Sequence, residues 1–367
     1  MATKKGKQGD SAAKKVVSVS IHDHLSKPLA AFLSSSDFPK RQTQAALASL
    51  IGLLANYREE GHQLFPEVFV VQNLSSILKT LPNSESIAIG SGSKTHETLN
   101  LALKRCAPLA QWGWSIYILP TEEKFDYGMM RCGLVALSLS ASEQLIDEGD
   151  KAIPAILIRQ ISNHTIEVSG PDQDRLRVHF GGAERPGLDP VNETVRFCNS
   201  IVTYVPNPLK EQVRTFYWRL FAAVLKGGHG CLAAILAPSK NKVPTQLRDC
   251  VLVAPRVDVA ARVAELLGAQ GRRSEADTRL RAAAALIRGM LLSDGVTLLH
   301  SDGSVLAYNV FVKNPKDIEG EPRTLGGARR RAFEALCTWL DKDLCSAYYL
   351  SQDGHAEFRG SKKWLRK

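Results

Sequence analysis

Val296-Thr297-Leu298-Leu299-His300-Ser301-Asp302-Gly303-Ser304-Val305-Leu306-Ala307-Tyr308-Asn309-Val310 is two apolar runs separated by a four-residue turn. Such a pattern predicts an antiparallel hairpin, with strands over 296–300 and 305–312. Upstream, Ser274 opens a long helix, with Asp277 in a capping-box-like position and Leu280, Ala284, Ile287 and Leu291 on one face. Further upstream the spacing of Leu209, Val213, Phe216, Leu220 and Val224 predicts another helix, ended by Gly227-Gly228. Strands are predicted over 231–236 and 250–253, with an Ala/Val/Leu-rich helix over 257–267 between them and the long helix. Downstream, Gly326-Gly327 leads into a helix striped by Phe333, Leu336, Cys337 and Leu340, and a hairpin over 347–351 and 355–358 turns at Asp353-Gly354. Strands alternating with helices define an α/β class.

The N-terminal half reads as α/β too. A helix follows the Phe38-Pro39 break, with Ala45, Leu47, Leu50, Ile51, Leu53 and Leu54 on its apolar face. A short buried strand is predicted over 86–89, Gly90-Ser91-Gly92-Ser93 as a turn, and a helix over 94–104 with Leu99 and Leu103 inward. Further strands are predicted over 114–119 and 133–139, then antiparallel strands over 155–159, 165–169 and 176–180, with turn signals at Asn163 and Gly170-Pro171-Asp172. Pro206-Asn207-Pro208 disfavours continuation of a helix or a central strand. The expected organisation is therefore a smaller N-terminal α/β domain over 16–205 and a C-terminal domain over 206–358, a mixed β-sheet flanked by helices. Residues 1–15 and 359–367 are expected to be tails, the first disordered.

The net charge of +10 sits mostly in those tails. Lys4, Lys5, Lys7, Lys14 and Lys15 against Asp10 put +4 on the first fifteen residues, and Arg359, Lys362, Lys363, Arg366 and Lys367 put +5 at the end, leaving about +1 for the body. Basic ends of this kind are ordinarily solvated, and allow only weak, salt-sensitive contact with nucleic acid. With no long apolar run and no signal-peptide core, the expectation is a cytoplasmic protein without a membrane partner. The 7 cysteines are spread without a C-x-x-C pair and read as buried free thiols.

Two elements carry chemistry together. Asp294-Gly295 precedes a strand, and Gly327-Ala328-Arg329-Arg330-Arg331 opens a helix. A carboxylate at a strand end can hold a divalent metal or take a proton from a hydroxyl. Glycines before a helix leave its first N–H groups open to an anion, and arginines add charge-assisted phosphate bonds.

In their order and spacing these motifs resemble the diadenylate cyclase domain of the DNA-integrity-scanning protein family, which carries Asp-Gly-Ala and Gly-Thr-Arg-His-Arg motifs. Here they read Asp294-Gly295-Val296 and Gly327-Ala328-Arg329-Arg330-Arg331, with Glu334 following. Leu225-Lys226-Gly227-Gly228-His229-Gly230-Cys231-Leu232 is similar to the family's helix, glycine turn and first core strand, and Ser351-Gln352-Asp353-Gly354 looks like its closing Ser-x-acid turn. The likeness spans about 208–358. It implies an adenine nucleotide, ATP or a cyclic dinucleotide, with Mg²⁺ or Mn²⁺ on Asp294. It places Gly295, Gly327, Arg329, Arg330, Arg331, Ser351 and Asp353 around the nucleotide, and Asp294 as the catalytic group if the site is active. A cyclase needs two half-sites, hence a homodimer or higher oligomer. Ala328, Arg330 and Val296 depart from the family's threonine, histidine and alanine, removing a hydroxyl and an imidazole near the phosphates. The expectation is thus a nucleotide sensor; the alternatives are an active diadenylate cyclase and a nucleic-acid-associated scaffold acting through the tails.

Three other stretches read as structural. Gly90-Ser91-Gly92-Ser93-Lys94-Thr95 lacks the glycines of a phosphate loop, and His22-Asp23-His24 has no partner cluster for a metal. Trp112 and Trp114 read as packing; Phe125-Asp126-Tyr127-Gly128 reads as an insert that either lines a pocket or serves as a structural loop.

Overall fold

The computed structural model describes residues 21–365 apart from 36–37, 56, 60, 81–83, 111–112, 132–154, 163–164, 171–173, 181–188, 227–229, 241, 248, 270–272, 313–326 and 353. The chain is mixed α/β, and its two large sheets are both mixed. No described helix is long and apolar enough to cross a membrane.

In the N-terminal half, helices α1 (Ile21–Phe32) and α2 (Lys40–Leu54) precede a small hairpin of β1 (Arg58–Glu59) and β2 (His62–Gln63). Then come β3 (Val68–Val71), α3 (Leu74–Thr80), β4 (Glu85–Ser93), α4 (His96–Cys106), β5 (Trp114–Pro120), β6 (Lys124–Arg131), β7 (Ala155–Ser162), β8 (Thr165–Ser169) and β9 (Arg175–His179). Seven described strands pair in the order β4-β6-β5-β3-β7-β8-β9, one more than in the C-terminal sheet, in the half expected to form the smaller domain. Helices α2 and α4 bury Leu47, Leu50, Ile51, Leu99 and Leu103 against it. On α2, Ala45, expected on the apolar face, is exposed, and Ala46 is buried in its place.

Two expectations fail in the edge strand and its neighbour. The segment 86–89 is not a buried strand. It belongs to β4, which continues through the glycines expected to turn and leaves Ile87 50% exposed, as no described strand pairs with its outer edge. Phe125-Asp126-Tyr127-Gly128 is no insert but the middle of β6. Phe125, Tyr127 and Met129 alternate into the core while Lys124 and Asp126 pair at 3.1 Å outside it. The strand expected over 133–139 lies outside the described residues.

The C-terminal half begins with α5 (Pro190–Ile201) and α6 (Asn207–Lys226), joined through Pro206. Next are β10 (Cys231–Leu236), β11 (Val251–Asp258), α7 (Val259–Gly268), α8 (Arg273–Leu292), β12 (Val296–His300), β13 (Ser304–Val310), α9 (Ala328–Cys337), β14 (Leu344–Leu350) and β15 (Ala356–Gly360). Their six strands run β11-β13-β12-β10-β14-β15, with only β10 and β12 parallel. The wholly apolar β10 is central and buried throughout, as burial on both faces requires.

Helices cover both faces of this sheet. On one, α5, α6, α7 and α8 pack around Phe197, Phe221, Tyr348 and Phe358; the Phe197 and Tyr348 rings stack at 5.0 Å, and Phe221 meets Phe197 edge-on at 5.2 Å. On the other, α9 presses Phe333 and Leu336 against Leu298, Ala307 and Ala347. Helix α5, although it precedes Pro206, contributes Phe197, Cys198 and Ile201 to the same cluster as α6.

Charged residues link α5 to the N-terminal sheet. Glu167 is 2% exposed and meets Arg159 at 3.1 Å, Arg177 at 2.9 Å and Arg175 at 3.6 Å. Arg177 also reaches Asp189 at 2.6 Å, and Asp189 caps α5 by accepting from the Val191 N–H. Burial alone would raise the Glu167 pKa, but the surrounding guanidinium groups outweigh it and hold the carboxyl below its usual range.

Candidate functional site

Register brings the candidate residues to one end of the C-terminal sheet. Ala233 lies opposite Thr297 in the parallel pair and Cys231 opposite Leu350 in the antiparallel one. Gly230, Asp294-Gly295 and Ser351-Gln352 therefore leave the sheet at the same level, and α9 starts beside them. The Arg329 guanidinium reaches over Gly230: a β-carbon at that glycine would stand 3.0 Å from Arg329 Nη1, 2.7 Å from the Leu350 carbonyl oxygen and 3.2 Å from the Gln352 nitrogen. Only glycine lets the chain pass this closely.

Asp294 closes the constellation. Its Oδ1 lies 3.5 Å from Arg329 Nη2, with the carboxylate 88% exposed and the arginine 31%. Gly295 sets its direction by taking φ +87°, a left-handed turn into β12 where a side chain would also crowd the Val310 carbonyl at 2.9 Å. Gly327 caps α9 with no side-chain hydrogen bond of its own, so the cap position adds no group between the first turn and solvent.

The three arginines are unlike one another. Arg329 faces Asp294. Arg330 turns the other way and is held by Glu357 and, at 2.6 Å, by Glu334, with its guanidinium 5.5 Å from the Phe333 ring and 5.7 Å from the Tyr349 ring. Its charge is compensated inside the fold. Arg331 lies on the exposed side of α9. Ser351 closes the β14–β15 turn: its hydroxyl accepts from the His355 N–H at 2.9 Å and its own N–H donates to the His355 carbonyl at 2.8 Å. Asp353 lies outside the described residues.

Sequence reasoning missed Gly230 as a close-approach point and Glu357 as the partner of Arg330. Nothing local marks either; both follow from which strands become neighbours.

Asp294 is a lone carboxylate, and no cluster of three or more metal-ligating side chains occurs among the described residues. That donor set fits a Mg²⁺ or Mn²⁺ arriving with the phosphates of a nucleotide, which would supply its other oxygens, and does not fit a preformed metal centre. The neighbouring Cys231 thiol is pushed by burial up to about 12, Arg329 offsetting only part of this, so it is no nucleophile at neutral pH.

The other motifs are structural. Thr95 caps α4, accepting from Thr98 N, and Lys94 Nζ donates to Gln42 Oε1 at 2.7 Å and to the Glu122 carbonyl at 2.8 Å. No phosphate loop forms there. His24 and Asp23 lie within α1.

Comparison with protein-family models, with curated proteins and with solved structures returned no match.

Proposed function

We propose that the C-terminal half binds an adenine nucleotide, ATP or a cyclic dinucleotide, at the sheet end formed by Gly230, Asp294-Gly295, the start of α9 and Ser351-Gln352, and that it acts as a sensor. The observation carrying this reading is the meeting of Asp294 with Arg329, whose guanidinium lies closely over Gly230 at the sheet end. A guanidinium and open helix amides favour phosphate oxygens, and an exposed carboxylate beside them favours the cation that travels with the phosphates. Sensing is preferred to turnover because Arg330 is neutralised by Glu334 and Glu357 and Ala328 offers no hydroxyl, leaving Arg329 as the arginine that faces Asp294. In this reading 206–358, with α5 packed on it, is the nucleotide-binding unit, and 16–205 transmits or refines the signal.

The test is incubation of purified protein with ATP and Mn²⁺ or Mg²⁺, products resolved by anion exchange, beside an Asp294→Asn control. Nucleotide retained without product supports a sensor. A cyclic dinucleotide peak absent from the control makes the protein a diadenylate cyclase instead, and neither product nor retention overturns the nucleotide reading.

A further inference from the structure

A second basic site lies at the opposite end of the β14–β15 hairpin, roughly 14 Å along the strand from the Leu350–Ala356 pair at about 3.4 Å per residue. It is a cleft of about 620 Å³ between α5, the first turns of α6 and the end of β15, within the size range of small-molecule sites. Arg196, Lys210 and Arg214 line it, against one carboxylate, Glu211. Arg214 is shared between Glu211 and Asn199 Oδ1, the latter at 3.5 Å, and Arg196 meets Glu193 beneath the lining at 2.9 Å. Lys210 has no carboxylate partner among the described residues. The floor is apolar: Val202 and Phe358 are buried, and the Arg196 guanidinium lies 4.9 Å above the Phe358 ring. Gly360, Ser361 and Leu365 complete the wall, so the basic C-terminal stretch borders the same cleft.

We propose that this cleft binds a small phosphate-bearing ligand, with Lys210 and Arg214 on the phosphate and the Phe358–Val202 floor against an apolar body. The charge balance selects the ligand class. Three cations against Glu211 leave the lining at +2, and counting the underlying Glu193 leaves +1, which a phosphate monoester compensates and a neutral or cationic ligand does not. Arginine supplies the planar fork for phosphate oxygens, and lysine a point charge that no carboxylate of the described fold satisfies. The site shares no residue with the Asp294 constellation.

Isothermal titration calorimetry of the full chain with phenyl phosphate tests this. Wild type is expected to bind, and the Lys210→Gln/Arg214→Gln double variant to bind about tenfold more weakly or worse, as loss of two charge-assisted contacts requires. Thr203→Glu, which puts a carboxylate into the cleft without removing either cation, is expected to weaken binding similarly. Circular dichroism should show both variants folded, and Arg329→Ala should bind the probe as wild type does. Absence of binding by the wild type, binding indifferent to both cleft variants, or loss of binding in Arg329→Ala alone would each overturn the proposal.

Discussion

Arg330 and Glu357, 27 residues apart, form an ion pair that fastens the first turn of α9 to the outermost strand of the sheet. Glu357 also receives Arg359, and its side chain is 6% exposed. Replacing it by Gln leaves Arg330 with Glu334 alone. Glu357→Gln is expected to lose roughly 2–3 kcal/mol in urea unfolding, below the full cost of breaking a buried pair because Arg359 is largely solvated. It should also weaken nucleotide retention by loosening the turn that carries Arg329. Stability equal to wild type would mean the pair contributes nothing to holding α9.

Glu167 gives a pH prediction with a definite sign. Its folded pKa is lowered, so the stability it contributes is complete above its unfolded value near 4.5 and is lost as pH falls through the folded value. Glu167→Gln is expected to cost roughly 3–5 kcal/mol at pH 7, since Arg159 and its neighbours lose their buried counter-charge. The difference between variant and wild type should shrink below about pH 4.5. Denaturant melts at pH 7 and at pH 3.5 measure it; a constant difference would refute the assignment.

Thr194 and Tyr348 make an asymmetric pair. Their hydroxyls lie 2.7 Å apart inside the core, and Thr194 also donates to the Pro190 carbonyl at 2.7 Å. Tyr348→Phe leaves Thr194 with that second partner and should cost about 1 kcal/mol. Thr194→Val strands the Tyr348 hydroxyl, while the Pro190 carbonyl keeps its helical bond from the residue-194 N–H, and should cost roughly 2–3 kcal/mol. Equal costs would show that the tyrosine hydroxyl finds another acceptor.

Gly295→Ala is expected to destabilise by at least about 1–2 kcal/mol, the penalty of a left-handed residue with a side chain, with the Val310 carbonyl contact added. Thermal unfolding would show it, and an unchanged midpoint would mean the turn relaxes freely.

Much of this architecture was legible where burial on both faces leaves continuous apolar runs, as in β10 and β12, or where a helix repeats every three or four residues, as in α6. The edges were not. Strand β4 carries glycines and serines, and no described strand pairs with its outer side. In β6 the alternation of Phe125, Tyr127 and Met129 was present but masked by Lys124, Asp126 and Gly128 between them. At the candidate site Asp294 and Arg329 were readable as motifs. That Arg330 faces inward to Glu357 was not, because the partner is chosen by strand order.

Strand β10 lies between β12 and β14, and every residue in it is buried. On a ribosome adding roughly 5–20 residues per second, β14 emerges on the order of ten seconds after β10. The most apolar strand of the sheet has both edges open until β12 is made and one edge open from then on, and synthesis of β14 is what ends its exposure to mispairing. A nascent chain stalled before Leu344 should therefore be a strong client for chaperones that grip extended apolar segments, and release should coincide with the emergence of the final hairpin.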